Sequence, residues 1–408
     1  MDPAVAHQLV SDRGAEALAE AGTETDPDSL AAASRLRRSF PAELAAAALD
    51  QVALRRRAVD KIGPAAADML WTRDGLEQAT RGAVSRWRAS RLVAAGVRRV
   101  IDLGCACGAD ARACLEAGIE IVAVEIDPGL AVLAGHNLPG ARVIEADAEA
   151  IGADLVTQAG PGTAVMLDPA RRTGRGRSWR IEDIRPSWEF VLGMLDAGGA
   201  FSTVVKLGPG VPRELLPDGA AITWLGHRRD LVEATLWAGP AADRLPGHQL
   251  AVRIGDTPGE AISLPGGEDD LEVGPIREFL AEPHPAVIRA RAMRAAAGGT
   301  QVRVPAPGVG YLLADEPAPT PWLTWFRVLD SLPVQVRALR SWVRGNRIGT
   351  LEIKKRGIDI DPAALRRSLH PRGPHQAALV LTPTTQGARA LVVERLRPGN
   401  GPQPSIRP

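Results

Sequence analysis

Val100-Ile101-Asp102-Leu103-Gly104-Cys105-Ala106-Cys107-Gly108-Ala109-Asp110 is the stretch on which the fold turns. An apolar run ends in an acid, three small residues (Gly104, Ala106 and Gly108) make a tight turn, and helix-forming sequence follows. Small residues at such a turn let the backbone take unusual dihedrals and approach a ligand closely. The pattern predicts a strand, a ligand-binding turn and a helix, the opening unit of a doubly wound α/β sheet.

Working outward, apolar runs recur at 119–126, 141–145, 164–167 and 200–207, separated by stretches of helical texture. Runs that are nearly continuous in apolar residues predict parallel strands covered on both faces. Two more runs, 221–225 and 234–237, lie too close together for a helical crossover and are expected to form an antiparallel pair at one edge of the sheet. Glu125 ends the second strand, 23 residues beyond Asp102, where a ribose diol would meet a carboxylate; Ile126 follows it.

The same geometry serves nicotinamide cofactors, but those place a pyrophosphate on the helix N-terminus behind a G-x-G-x-x-G turn. Here the third spacing fails and Asp110 would face the phosphate, whereas Asp102 suits a ligand bearing a positive amino group. The pattern D-x-G-x-x-x-G resembles the first motif of class I S-adenosylmethionine methyltransferases, and Glu125 resembles their ribose-binding acid. The resemblance implies S-adenosylmethionine as cofactor. It implies adenine contacts at Asp147-Ala148, after the third strand, and an acceptor site at Asp168-Pro169, after the fourth. Asp110, Asp127 and Asp154 are read as ordinary capping or strand-end carboxylates.

Methyltransferases acting on exocyclic base amines carry Asp/Asn-Pro-Pro-aromatic at the fourth motif. This chain has Asp168-Pro169-Ala170-Arg171-Arg172, which keeps the carboxylate and first proline and loses the second proline and the aromatic. Arg171 could stack on a base or meet a phosphate, or hold the loop 171–177 by a salt bridge. Trp179 and Trp188 are potential stacking surfaces, with core packing the better expectation for each. Lys206, at the carboxyl edge of the predicted fifth strand and therefore near the site, is a catalytic candidate, and Glu233, in the edge hairpin, is a weaker one.

Helical texture dominates residues 1–95, including 40–62 and 75–95; 96–240 is the α/β domain; 241–325 is rich in Pro and Gly and reads as a connector with one helix at 285–297. Residues 326–408 alternate strand, helix, strand, helix, strand, strand, a small α+β domain with a tail from 398 too rich in Pro and Gly to fold. Residues 321–408 hold 15 Lys+Arg against 5 Asp+Glu, a net of +10 in a chain whose total is +1. That excess marks the C-terminal end as the part to meet a polyanion.

With Trp71-Thr72-Arg73-Asp74-Gly75, the acceptor motif and Leu351-Glu352-Ile353-Lys354-Lys355-Arg356-Gly357, roughly residues 60–397 resemble bacterial class I methyltransferases that end in a THUMP-like domain, with the 71–80 approach resembling trimethylguanosine-synthase-type enzymes. The resemblance implies an RNA base methyltransferase acting on ribosomal or transfer RNA, with Lys354, Lys355 and Arg356 meeting its backbone. A small-molecule or protein methyltransferase, and a cofactor-binding RNA module without chemistry, stand as alternatives; guanine N2 and adenine N6 are both open as acceptors. The apolar (45%) and charged (24%) fractions are those of a soluble globular chain. No export signal or apolar span is evident, so a cytoplasmic protein is expected. Cys105, Cys107 and Cys114 lack a fourth ligand at metal spacing, so packed thiols and no metal are expected.

Overall fold

A computed structural model describes residues 1–158, 160–171, 181–197, 201–255, 257, 259–267 and 269–396. Contacts divide the chain into two compact units, one of Met1–Arg228, Val232–His248 and Val252–Ser263, the other of Arg229–Leu231, Gln249–Ala251 and Leu264–Pro408.

The larger unit opens with helices α1 (Pro3–Leu9), α2 (Asp12–Gly22), α3 (Leu30–Leu36), α4 (Ala42–Ile62), α5 (Arg73–Gln78) and α6 (Gly82–Ala94). Side chains of Asp2, Ser11, Ser29 and Thr72 cap the first three and the fifth, each accepting a free N–H of the first turn. Leu9, Ala17, Leu36, Leu44 and Ala48 bury together as a core of this region.

From Arg99 the chain alternates β1 (Arg99–Leu103), α7 (Ala109–Glu116), β2 (Glu120–Glu125), α8 (Pro128–Asn137), β3 (Arg142–Glu145), α9 (Ala148–Thr157), β4 (Thr163–Leu167), α10 (Trp188–Asp196) and β5 (Ser202–Leu207). Then come β6 (Ala221–His227), β7 (Asp230–Ala238), β8 (Gln249–Ile254) and β9 (Ala261–Gly266). The sheet order is β9-β8-β6-β7-β5-β4-β1-β2-β3. Strands β1 to β5 are parallel, and β7 runs antiparallel to β5. β4 and β5 are buried along their whole length, which is why they read as unbroken apolar runs.

The pair β6 and β7 is present but lies inside the sheet, because β8 and β9 continue beyond it. Those strands fall in the stretch read as an irregular connector. β9 alternates exposed and half-buried residues and contains Pro265 and Gly266, a composition that an edge strand tolerates and that hides it from pattern reading. The expected helix at 285–297 is two short ones, Pro285–Arg289 and Met293–Ala296, broken at Arg291, which takes a left-handed φ of 51°.

The smaller unit is a six-stranded sheet built from β10 (Phe279–Pro283), β11 (Leu312–Ala314), β12 (Leu323–Pro333), β13 (Ile348–Lys355), β14 (His375–Thr384) and β15 (Gly387–Arg395), in the order β11-β10-β12-β15-β14-β13. Helices α11 (Val336–Gly345) and α12 (Pro362–Leu369) bury Leu339, Val343, Leu365 and Leu369 against one sheet face. The strand and helix sequence expected from residue 326 onward is the one observed; the tail from 398 lies outside the described residues. No helix among the described residues is long and apolar enough to cross a membrane.

Candidate functional site

The order of the parallel strands reverses between β1 and β4, and an open α/β sheet binds its ligands at the carboxyl ends of the strands at that switch point. Register brings the chemistry there. Leu103 pairs with Val124 on one side and Leu167 on the other, so the turn after β1, Glu125 and Asp168 sit at one level. Leu167 pairs with Val205, which sets Lys206 beside Asp168.

The turn is built as its sequence requires. Gly104, Ala106 and Gly108 all take positive φ, of 100°, 49° and 79°, a region that costs any residue with a Cβ. The Gly104 and Cys105 amides both donate to the Val124 carbonyl, at 2.9 and 3.0 Å. A Cβ on Gly104 would point into open space, whereas one on Gly108 would press on Leu138 at 3.0 Å. Glu125 braces the turn: one carboxylate oxygen accepts from the Ala106 amide at 2.8 Å and the other from the Asp127 amide at 2.9 Å. Each oxygen keeps a second lone pair for a hydroxyl. Ile126 beside it is 65% exposed, an apolar surface at the strand end.

Asp102 is buried, and no described residue donates a hydrogen bond to it. Burial first, and then Asp110, Asp168 and Glu125, push its carboxyl up to about 8, against the opposing pull of Lys206. Behind it lies a buried chain of charge. Arg88 pairs with Asp110 and Glu233; Asp110 also accepts from Lys206 Nζ at 2.8 Å and from Thr80 Oγ1 at 2.9 Å; Lys206 in turn donates to Asp168. Despite their desolvation, the facing acids raise Arg88 and Lys206 above their ordinary values, and these two cations hold Asp110 well below its own. Asp168 is the open end of the chain, its side chain 48% exposed.

Two cations thus face Asp102, Asp110, Asp168 and Glu233, with Glu125 adjacent. S-adenosylmethionine, with a sulfonium and an ammonium against one carboxylate, fits that surplus of acid, the open space at Gly104 and the carboxylate at the β2 end. Asp147 and Ala148 lie after β3, where the Asp147 side chain caps α9 by accepting from the Glu149 amide at 2.9 Å. Pro169 follows Asp168; Arg171 lies in a two-residue strand paired with Ile184–Arg185, and its side chain, like Arg172 and Trp179, falls outside the described residues. Trp188 is packed in the core.

Asp110 corrects the sequence reading. It is not an ordinary helix-end acid but the buried hub joining α6, α7 and β5. Asp127 is an N-cap as expected, while Asp154 lies on the exposed face of α9. Sequence reasoning passed over Arg88, although Val84, Arg88 and Leu92 form one i, i+4, i+8 stripe and a cation inside an apolar stripe was the available signal. Asn137 was also missed: its side chain exchanges two hydrogen bonds with the Leu70 backbone (2.7 and 2.8 Å) and donates to the Cys107 carbonyl at 2.8 Å, tying the approach segment to the turn. Cys105, Cys107 and Cys114 are buried and free, and burial pushes the Cys114 thiol up to about 12.

Lys354, Lys355 and Arg356, expected together against RNA, are split by strand alternation. Lys354 lies 2.8 Å and Arg356 3.8 Å from Glu282, and both also face aromatic rings, Phe326 and Tyr311; Lys355 alone is exposed.

The fold is that of a class I, Rossmann-like methyltransferase domain. Comparison with known proteins agrees. An uncharacterized S-adenosylmethionine-dependent methyltransferase of Mycobacterium tuberculosis H37Rv is 32% identical over 349 residues, covering 83% of this chain and 93% of the relative. Its counterpart in strain CDC 1551 matches to the same extent. The chain belongs to this family of S-adenosylmethionine-dependent methyltransferases. Residues 323–395 match a family described as THUMP domain-like, and residues 2–58 a domain of unknown function. The fold is similar to that of a methyltransferase candidate from Porphyromonas gingivalis W83, with a TM-score of 0.69 at 19% identity over 93% of this chain and 98% of that one.

Proposed function

We propose that the protein methylates a base of ribosomal or transfer RNA. The observation that carries the reading is the THUMP domain-like match at 323–395, in a C-terminal segment (321–408) that holds 15 Lys+Arg against 5 Asp+Glu. Such an excess suits a phosphate backbone. S-adenosylmethionine supplies the methyl group. Asp102 and the Gly104–Gly108 turn bind it, with Glu125 on the ribose and Ile126, Asp147 and Ala148 about the adenine.

On the acceptor side, Asp168 accepts hydrogens from the nucleophile, and Pro169 fixes the backbone beyond it. Lys206 orients the Asp168 carboxylate through one oxygen and leaves the other free, and Arg171 meets the base or a phosphate. Positioning of this kind is most of what a displacement at a methyl group asks of a protein.

Nucleoside mass spectrometry on ribosomal and transfer RNA from a strain lacking the protein tests the proposal. Loss of one methylated nucleoside, restored by the wild-type gene and not by Asp168→Ala, is the expected result. Unchanged methylation in both RNA pools would redirect the search to protein or small-molecule acceptors.

A further inference from the structure

Strands β13 and β14 run parallel, with Ile348 opposite His375, so they begin at the same edge of the smaller unit. α11 leads into the start of β13, and α12 leads into the start of β14. Both helices therefore end at that edge. Arg340 donates to the Ser368 carbonyl through Nε (3.0 Å) and Nη2 (2.7 Å), locking α11 to the last turn of α12. The His375 amide donates to the Arg347 carbonyl at 3.3 Å, closing the gap between the two loops.

This arrangement collects Arg344 and Arg347 from the end of α11 with Arg367 and Arg372 from the end of α12, all exposed, while Arg366 is turned to the Leu351 carbonyl inside β13. None of these four forms an ion pair among the described residues. The sequence offers little to pair with: no Asp or Glu occurs in 331–351 or 362–393, and Asp361, at the start of α12, feels Arg367 without an ion pair. One or two cations at a helix C-terminus complement its dipole. Four exposed guanidinium groups at one edge exceed that need and present a positive surface to an anion.

We infer that structured RNA is held at this edge, its phosphates contacted by Arg344, Arg347, Arg367 and Arg372. The inference rests on the RNA reading above and moves the contact away from Lys354 to Arg356. Those residues lie at the opposite end of β13, about 23 Å away at ~3.3 Å per residue, and Lys354 and Arg356 are taken up by Glu282. Guanidinium forks bind phosphate oxygens in pairs, and an A-form helix offers phosphates flanking a wide, shallow groove.

The test is fluorescence anisotropy of the full-length protein with end-labelled unfractionated tRNA across a KCl series. Two variants are compared, Arg344→Gln/Arg347→Gln/Arg367→Gln/Arg372→Gln and Lys354→Gln/Lys355→Gln/Arg356→Gln. Arg366 is left intact because it donates to the Leu351 carbonyl at 2.7 Å. The first variant should lower the slope of log affinity against log salt by about 3.6, about 0.9 for each of the four lost phosphate contacts. It should weaken binding at least about tenfold at 100 mM KCl, with circular dichroism and the thermal unfolding midpoint unchanged to report an intact fold. The second should change the slope by less than about 1. A first variant that binds like wild type, or a second that loses as much slope as the first, overturns the placement. Failure of the wild type to bind tRNA or a ribosomal RNA fragment overturns the RNA reading itself.

Discussion

Lys206, buried in β5, donates a hydrogen bond to Asp168, the half-exposed residue that follows β4. The other side of the same ammonium is fixed at 2.8 Å by Asp110, itself held by Arg88 from a helix that precedes the sheet. The Asp168 carboxylate, proposed to face the methyl acceptor, is thus aimed by a chain of buried charge reaching back to α6.

Lys206→Met removes the cation between two acids. Breaking a buried pair from one side costs about 3 kcal/mol or more, so chemical denaturation should show a loss of that order. Lys206→Arg should keep most of the stability while lowering kcat, because the guanidinium cannot place Asp168 as the ammonium does. Equal kcat in Lys206→Arg and wild type would remove Lys206 from the positioning role.

Arg88→Ala leaves Asp110 and Glu233 without their shared partner and should cost about 3 to 5 kcal/mol at neutral pH. The pH dependence carries a sign. Asp110 sits well below its unfolded value, so its stabilisation is present above that unfolded value, near 4, and is lost as pH falls toward the folded one. The Arg88→Ala penalty should therefore shrink progressively as pH falls below about 4, measured by denaturant midpoints. A penalty constant with pH would contradict the pairing.

Asp102 behaves oppositely. Its carboxyl is pushed up to about 8, so between its unfolded value near 4 and about 8 the folded apoprotein keeps a proton that the unfolded chain has lost, and this group makes stability fall as pH rises. A cofactor ammonium favours the charged carboxylate. S-adenosylhomocysteine should accordingly bind more tightly from pH 6 to 8, releasing a proton detectable by calorimetry in buffers of different ionisation enthalpy. Asp102→Asn should bind more weakly and lose that pH dependence; a variant that kept it would place the titrating group elsewhere.

The β1 turn and its neighbouring acids were legible in the sequence because each stands next to the strand it ends, and local pattern suffices. The buried chain of charge was not. Arg88 meets Asp110 across 22 residues and Glu233 across 145, and no local periodicity encodes a pairing that only tertiary packing makes. Strands β8 and β9 escaped for a different reason: edge positions tolerate the Pro and Gly that elsewhere signal loops. The C-terminal domain was legible element by element, since α11 and α12 carry clear apolar stripes, but which cations lie free of carboxylates depended on Glu282 reaching across from β10.

Gly104→Val would place a branched side chain in the open space above the turn at a φ of 100°. Left-handed backbone costs a β-carbon about 1–2 kcal/mol, and the side chain would occupy the approach proposed for the cofactor. S-adenosylhomocysteine affinity should fall by at least about tenfold, 1.4 kcal/mol, with circular dichroism unchanged. Normal affinity would relocate the cofactor site.

Methyl transfer itself is the most direct test. Purified protein is incubated with labelled S-adenosylmethionine and total RNA from a strain lacking it, beside an Asp168→Ala variant that still binds S-adenosylhomocysteine. Label in one RNA species with the wild type, and none with the variant, is the predicted result. Label that persists in Asp168→Ala, or that never enters RNA while the cofactor is bound tightly, would contradict it.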